Sequence, residues 1–195
     1  MAENFIMLKI IRILGALIGI DNKMGSPDRA YLEKKIMPAL SNLLAPDSNI
    51  LFVGIDYYTT SYGRLFSKQR YHTIDIAMWR WVYARTCRHR TADLRTLSKT
   101  FPPSYFSGCL VNGVFGFGID DEQGIKQAMD EVFLCLEPGG FLVVGWNPGR
   151  GGLPIQFPYR NDHLMLFNLI PGKGTSIDFQ TDKGDIHQYL FYQKN

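Results

Sequence analysis

Apolar residues along this chain fall either in short continuous runs or at helical spacing. The runs at 49–54 (NILFVG), 71–76 (YHTIDI), 108–112 (GCLVN) and 141–146 (FLVVGW) have strand length and few polar interruptions. Runs of that kind are expected of strands covered on both faces. Residues 89–94 (HRTADL) read as a weaker strand between the second and fourth. Helices are predicted over 27–44, 78–85 and 123–136. The first opens on Ser26-Pro27-Asp28, which offers a capping serine, a proline at the first helical position and a carboxylate in the first turn. Pro38 predicts a kink in it. In the last, Asp120 and Gln123 stand in the relation of a capping box, and Ile125, Met129, Val132, Phe133 and Leu136 form one apolar face. Pro138-Gly139-Gly140 then closes the helix before the fifth strand.

Strands alternating with helices predict a parallel sheet with right-handed crossovers. The end of the chain changes rhythm: 176–179 (SIDF), a polar turn at 181–185 and 186–193 (IHQYLFYQ) read as a hairpin. A hairpin is antiparallel, so the sheet should be mixed there. At the other end, Ile6, Ile10, Ile13, Leu14 and Leu17 fall at helical spacing. That run is shorter than the ~20 apolar residues a membrane span needs, and Lys9 and Arg12 interrupt it. An amphipathic helix is expected, docked on the body of the protein or on a membrane surface or partner. We expect one domain over 1–195, with a helical extension (1–45) ahead of a core (49–194).

With 195 residues, 46% of them hydrophobic and 20% charged, the chain can bury a substantial core. A net charge of +3 is far from the basic extreme of nucleic-acid binders, and Arg85, Arg88, Arg90 and Arg95 read as a solvated face. Cys87, Cys109 and Cys135 are an odd number without metal-ligand spacing. They suggest a reducing, cytoplasmic setting and no metal site.

In an open parallel sheet, ligands bind outside the carboxyl ends of the strands. The candidates are therefore residues 54–58, Asp75, Asp93, residues 112–115 and residues 146–148. Asp75 lies about twenty residues after Gly54, where a carboxylate commonly receives ribose hydroxyls. The alternative is that it merely caps the helix that follows. The absence of G-x-G-x-x-G after the first strand argues against a nicotinamide-dependent dehydrogenase. The segment 148–152 (PGRGG) lacks a lysine-serine/threonine ending and reads as a lid. His72, His89, His163 and His187 are the available histidines, and none sits in a paired motif.

Taken together, strand-Gly54, strand-Asp75, Ala92-Asp93-Leu94, the loop NGVFGF after the fourth strand, Leu136-Glu137-Pro138-Gly139-Gly140 and the terminal hairpin resemble a class I S-adenosylmethionine-dependent methyltransferase, type 11-like. The resemblance covers about residues 49–194. It implies a Rossmann-like α/β fold: a mixed seven-stranded sheet with an antiparallel terminal hairpin and helices on both faces. It implies S-adenosylmethionine as cofactor, with Gly54 approaching its methionyl part and Asp75 taking the ribose hydroxyls. Asp93 and Leu94 would hold the adenine, and Asn112 and Gly113 would line the methionine side. The family's first loop carries glycine at alternate positions, and here Asp56 and Tyr58 stand at the second and third. Asp56 is a candidate for the cofactor's ammonium, and Tyr57, Tyr58 and Tyr62 either wall the acceptor side or face the core. The implied activity is methyl transfer to a small-molecule or glycan oxygen or nitrogen. The alternative is an inactive methyltransferase-like binding or regulatory module. No catalytic residue is legible; His163 comes first among the histidines, because it follows the loop after the fifth strand.

Overall fold

The computed structural model describes residues 2–18, 20, 25–181 and 184–195. The apolar runs form parallel strands β1 (Asn49–Val53), β2 (Arg70–Asp75), β3 (His89–Thr91), β4 (Phe106–Asn112) and β5 (Leu136–Trp146). Three further strands follow: β6 (Leu164–Leu166), β7 (Ser176–Gln180) and β8 (Ile186–Lys194). The order across the sheet is β3-β2-β1-β4-β5-β8-β6, with β7 also paired to β8. The order reverses between β1 and β4, which opens a crevice at their carboxyl ends.

The hairpin prediction holds: β8 is antiparallel to both β5 and β7. The expected seven strands are eight, because β6 and β7 divide the outer edge of β8 between them. β6 is three residues long, too short for alternation to reveal. β3 also ends sooner than predicted. Asp93 therefore lies beyond it, as the cap of a 3-10 turn over Leu94–Lys99, accepting from the Arg95 backbone N–H.

Helices cover both faces. On one, α5 (Glu122–Cys135) lays Ile125, Met129 and Val132 against Val111, Leu142 and Val144. On the other, α2 (Pro27–Tyr31), a π-turn (Leu32–Ile36) and α3 (Met37–Leu43) bury Leu32, Ile36, Met37 and Leu40 against Ile50, Phe52 and Phe191. The irregularity predicted at Pro38 is this widened turn. Proline has no N–H to give and its ring crowds the carbonyl four residues back, so the preceding turn opens.

Several boundaries move. The cap of α5 is Asp121, which accepts from the Gly124 N–H at 2.7 Å, one residue later than the expected Asp120. Asp120 instead accepts from the Gly118 N–H. α5 runs straight into β5, so Glu137-Pro138-Gly139-Gly140 is an irregularity inside that strand, where its register against β4 shifts. The last carbonyls near the end of α5 are met by Lys194, whose Nζ donates to Phe133 and Leu136. Cys109 and Cys135 are buried and Cys87 is exposed.

The N-terminal helix α1 (Ala2–Leu17) forms, with α4 (Trp81–Ala84) as its neighbour, but its apolar stripe does not dock. Ile10, Leu14 and Leu17 are each more than half exposed, whereas Gly15 and Ala16 are buried. The small residues allow a close approach, and Arg85 donates to the Ala16 carbonyl at 2.9 Å. Arg12 lies 3.8 Å above the Tyr57 ring. The Ile6 side chain falls outside the described residues. Among the described residues no helix is long and apolar enough to cross a membrane.

Candidate functional site

Two neighbouring cavities open at the carboxyl ends of the strands. The first, about 160 Å³, is lined by Gly54, Asp75, Asp93, Leu94, Arg80 and Gly113 among others. The second, about 270 Å³, is lined by Asp28, Arg29, Tyr58, Asn147, Arg150 and His187 with their neighbours. Gly113 and Phe117 belong to both walls.

The first cavity brings together five of the seven predicted positions. Asp75 is the last residue of β2 and is 7% exposed. One carboxylate oxygen accepts from the Ala77 N–H at 2.8 Å, and the other meets Arg80 Nη1 at 3.2 Å. Asp75 therefore fixes the turn that leads into the next 3-10 helix without capping it, since the cap position is Ala77, and Arg80 holds the acid as well. The same guanidinium donates to the Ile55 carbonyl at 2.9 Å and stands 3.6 Å from Asp56. Arg80 ties the loop after β1 to the end of β2, a role its position in the sequence did not announce. Asp93 is gripped by Arg95, with Nη2 at 2.7 Å and Nε at 3.1 Å. These hydrogen bonds hold its carboxyl below the usual range. Each Asp75 oxygen keeps a lone pair for a further donor, whereas both Asp93 oxygens already accept twice from Arg95.

Gly54 lines this cavity, yet two features of its own backbone already require glycine. Its φ is +83°, and a Cβ there would stand 2.9 Å from the Asn112 carbonyl. The loop after it closes on itself. The Asp56 carbonyl accepts from the Thr59 N–H and hydroxyl, and Asp56 Oδ1 accepts from the Tyr57 N–H. Asp56 thus faces Arg80 and lies outside the lining of both cavities. Tyr62 is a core residue, Tyr57 lies under Arg12, and only Tyr58 reaches a cavity.

Asn112, 1% exposed, lies outside the lining of either cavity. It shares a rung with Gly145 and Tyr189, and its side chain lies where a Cβ on Gly145 would be. Neither of its side-chain polar atoms has a hydrogen-bond partner among the described residues.

The second cavity gathers residues distant in sequence. Asp28 and Arg29 come from α2, Tyr58 from the loop after β1, Asn147 from the end of β5 and His187 from β8. Arg29, 8% exposed, donates to the Tyr58 hydroxyl at 3.1 Å and lies 4.4 Å above that ring. Arg150 closes one side, donating to the Gly116 carbonyl, covering the Phe117 ring at 4.1 Å and meeting Asp185 at 3.5 Å. The segment read as a lid is therefore a short turn resting beside this cavity. His187 is 5% exposed, and burial pushes it down to about 4; Asp28 opposes that shift and Arg29 adds to it.

The other histidines have structural surroundings. His72 bonds to Asn49 and sits against Phe101, Tyr105 and Phe106; His89 bonds to Thr73. His163, placed first from the sequence, is exposed ahead of β6 and lines neither cavity. Among the described residues there is no cluster able to hold a metal ion.

No protein-family profile and no curated protein matches this chain. Solved structures do. N-methyltransferase NodS from Bradyrhizobium japonicum WM9, in complex with S-adenosyl-L-homocysteine, superposes with a TM-score of 0.66 at 16% identity, over 86% of this chain and 88% of that one. The 1,6-didemethyltoxoflavin-N1-methyltransferase of Burkholderia thailandensis gives 0.59 at 14% identity, covering 100% and 90%. The [4+2]-cyclase SpnF gives 0.63 at 11% identity, covering 95% and 92%. The chain has the Rossmann-like fold of the class I S-adenosylmethionine-dependent methyltransferases.

Proposed function

We propose that the protein is an S-adenosylmethionine-dependent methyltransferase, type 11-like, acting on a small-molecule acceptor. The observation that carries this is the convergence of Gly54, Asp75, Asp93, Leu94 and Gly113 on one crevice at the point where strand order reverses. Fold alone does not settle function, since a cyclase shares it; the reading therefore rests on the residues gathered in the crevice. NodS and the toxoflavin enzyme both carry S-adenosylhomocysteine in their structures.

The residues present fit such a cofactor in kind. Asp75, fixed by Ala77 and Arg80, offers its remaining lone pairs to ribose hydroxyls. Asp93 and the Leu94 backbone line the part of the first cavity where an adenine would lie, and Gly113 lines both cavities. The first cavity is smaller than the ~300 Å³ at the low end of ligand sites. Phe117, which lines both cavities and is 54% exposed, is expected to turn aside when a ligand spans them. When bound, the cofactor supplies an activated methyl group. The protein's part is to hold the acceptor in line with it and exclude water, and positioning of this kind is a large part of such catalysis.

A second reading is favoured by the closed loop after β1 and by the arginine already on each acid: a methyltransferase-like binding or regulatory module that has lost its cofactor. Calorimetric titration with S-adenosylhomocysteine separates the two. The enzyme reading expects saturable one-site binding, and no heat at millimolar ligand would leave only the module.

A further inference from the structure

The second cavity contains a polar arrangement that the fold does not need. The Asn147 side chain donates through Nδ2 to the Ile186 carbonyl at 3.1 Å, which fixes the orientation of its amide. Its Oδ1 therefore faces His187 Nδ1, 3.0 Å away, and an oxygen can only accept. The proton of the neutral ring is thus on Nδ1, and Nε2 carries a lone pair. That Nε2 is buried and has no partner among the described residues. A buried acceptor without a donor calls for a ligand or a water.

The groups around the ring come from every element packed on it. Asp28 and Arg29 approach from α2, Asn147 from the end of β5 and Phe179 from the paired position on β7. Tyr189, two residues along β8, sets its ring 4.7 Å away, edge to face. The charges of Asp28 and Arg29 are opposite, as are those of Arg150 and Asp185, so the cavity suits a polar molecule without a large net charge.

We propose that this cavity is the acceptor site, and that it takes a small polar molecule presenting a hydroxyl or an amine to His187 Nε2. The proposal rests on the methyltransferase reading above. In the step implied, the acceptor heteroatom bonds to the methyl carbon as the carbon–sulfur bond of a sulfonium donor breaks, the electron pair staying on sulfur. The proton of the acceptor passes to Nε2, giving an imidazolium that Asp28 steadies and water later discharges. Asn147 is a positioning residue, because it holds the ring in the tautomer that can accept.

The test uses the full-length protein, tritiated S-adenosylmethionine and four probes: phenol, catechol, ethanolamine and glucosamine. Transfer to at least one probe is expected. His187→Phe should lower kcat by about 100-fold or more, the range of a lost proton acceptor, with KM for S-adenosylmethionine within about 2-fold. His187→Gln serves as a second variant if the phenylalanine does not fold. Nitrogen NMR of labelled protein at pH 7 should show Nδ1 protonated and Nε2 bare, and Asn147→Leu should raise the share of the other tautomer. Equal kcat in wild type and variant overturns the proposal. So does a proton on Nε2, or the absence of transfer to every probe by protein that binds S-adenosylhomocysteine. If S-adenosylhomocysteine fails to bind, the methyltransferase reading falls separately. The His187 resonances then decide the site: shifts on adding the probes support it, and their absence overturns it.

Discussion

The first cavity and the second solve opposite problems with similar residues. In the first, each carboxylate is already matched by an arginine close in sequence, Asp75 by Arg80 and Asp93 by Arg95. Local pairs of this kind fix a carboxylate in place before any ligand arrives. In the second, the partners are far apart in the chain, and His187 Nε2 is left without a donor. The contrast teaches that a charged residue at a strand end marks where a ligand can lie. An unmet buried atom says what the ligand must bring.

The largest expected effect separates the two cavities directly. Asp75→Ala should weaken S-adenosylhomocysteine binding by about 100-fold or more in calorimetry, since two hydrogen bonds to a charged group are worth about 1.5–3 kcal/mol each. His187→Phe should leave that affinity within about 2-fold. Equal losses in both variants would merge the cavities into one site.

Acid should distinguish them next. His187 is held at about 4 against an ordinary 6.5, so it binds its proton later than the unfolded chain does. Its contribution is complete above 6.5 and is lost as pH falls toward 4. The loss amounts to about 3 kcal/mol. Asp93, held below its ordinary 3.8, contributes above that value and is lost only in stronger acid. Urea titrations at a series of pH values should therefore show a decline in that upper window that is smaller in His187→Phe. His72, also lowered to about 4, accounts for a further share that the variant leaves intact.

Gly145→Ala is expected to cost about 1–3 kcal/mol, because the new methyl would meet the Asn112 side chain and Tyr189 in the middle of the sheet. Adding Asn112→Ala should recover part of that loss in thermal melts. The smallest effect belongs to α1: Leu14→Ser and Leu17→Ser, on its exposed face, should each shift stability by less than about 0.5 kcal/mol.

Much of the fold was legible because long-range order repeats a local signal. The buried runs at 49–54 and 141–146, the polar turn before β8 and the apolar face of α5 each carry their own periodicity. β6 escaped because three residues have no period. The stripe on α1 misled because helical spacing reports which residues share a face, not which way that face points. The first cavity was readable from Asp75, at the end of β2, and from Asp93, which lies just beyond β3, since the ends of strands can be located in sequence to within a few residues. Arg80 was not, because nothing local distinguishes it from any arginine in a short helix. The second cavity is the harder case. Asp28 read only as a first-turn acid, and His187 as one histidine among four. Their meeting depends on β8 inserting beside β5 and on α2 packing across that face.

A crystal structure of the protein soaked with S-adenosylhomocysteine tests the central claim most directly. The account predicts ribose hydroxyls on Asp75, the adenine beside Asp93 and Leu94, Phe117 turned aside, and the sulfur facing the cavity that holds His187. Ligand bound away from Asp75, or none at saturating concentration with the loop after β1 still closed, would contradict it.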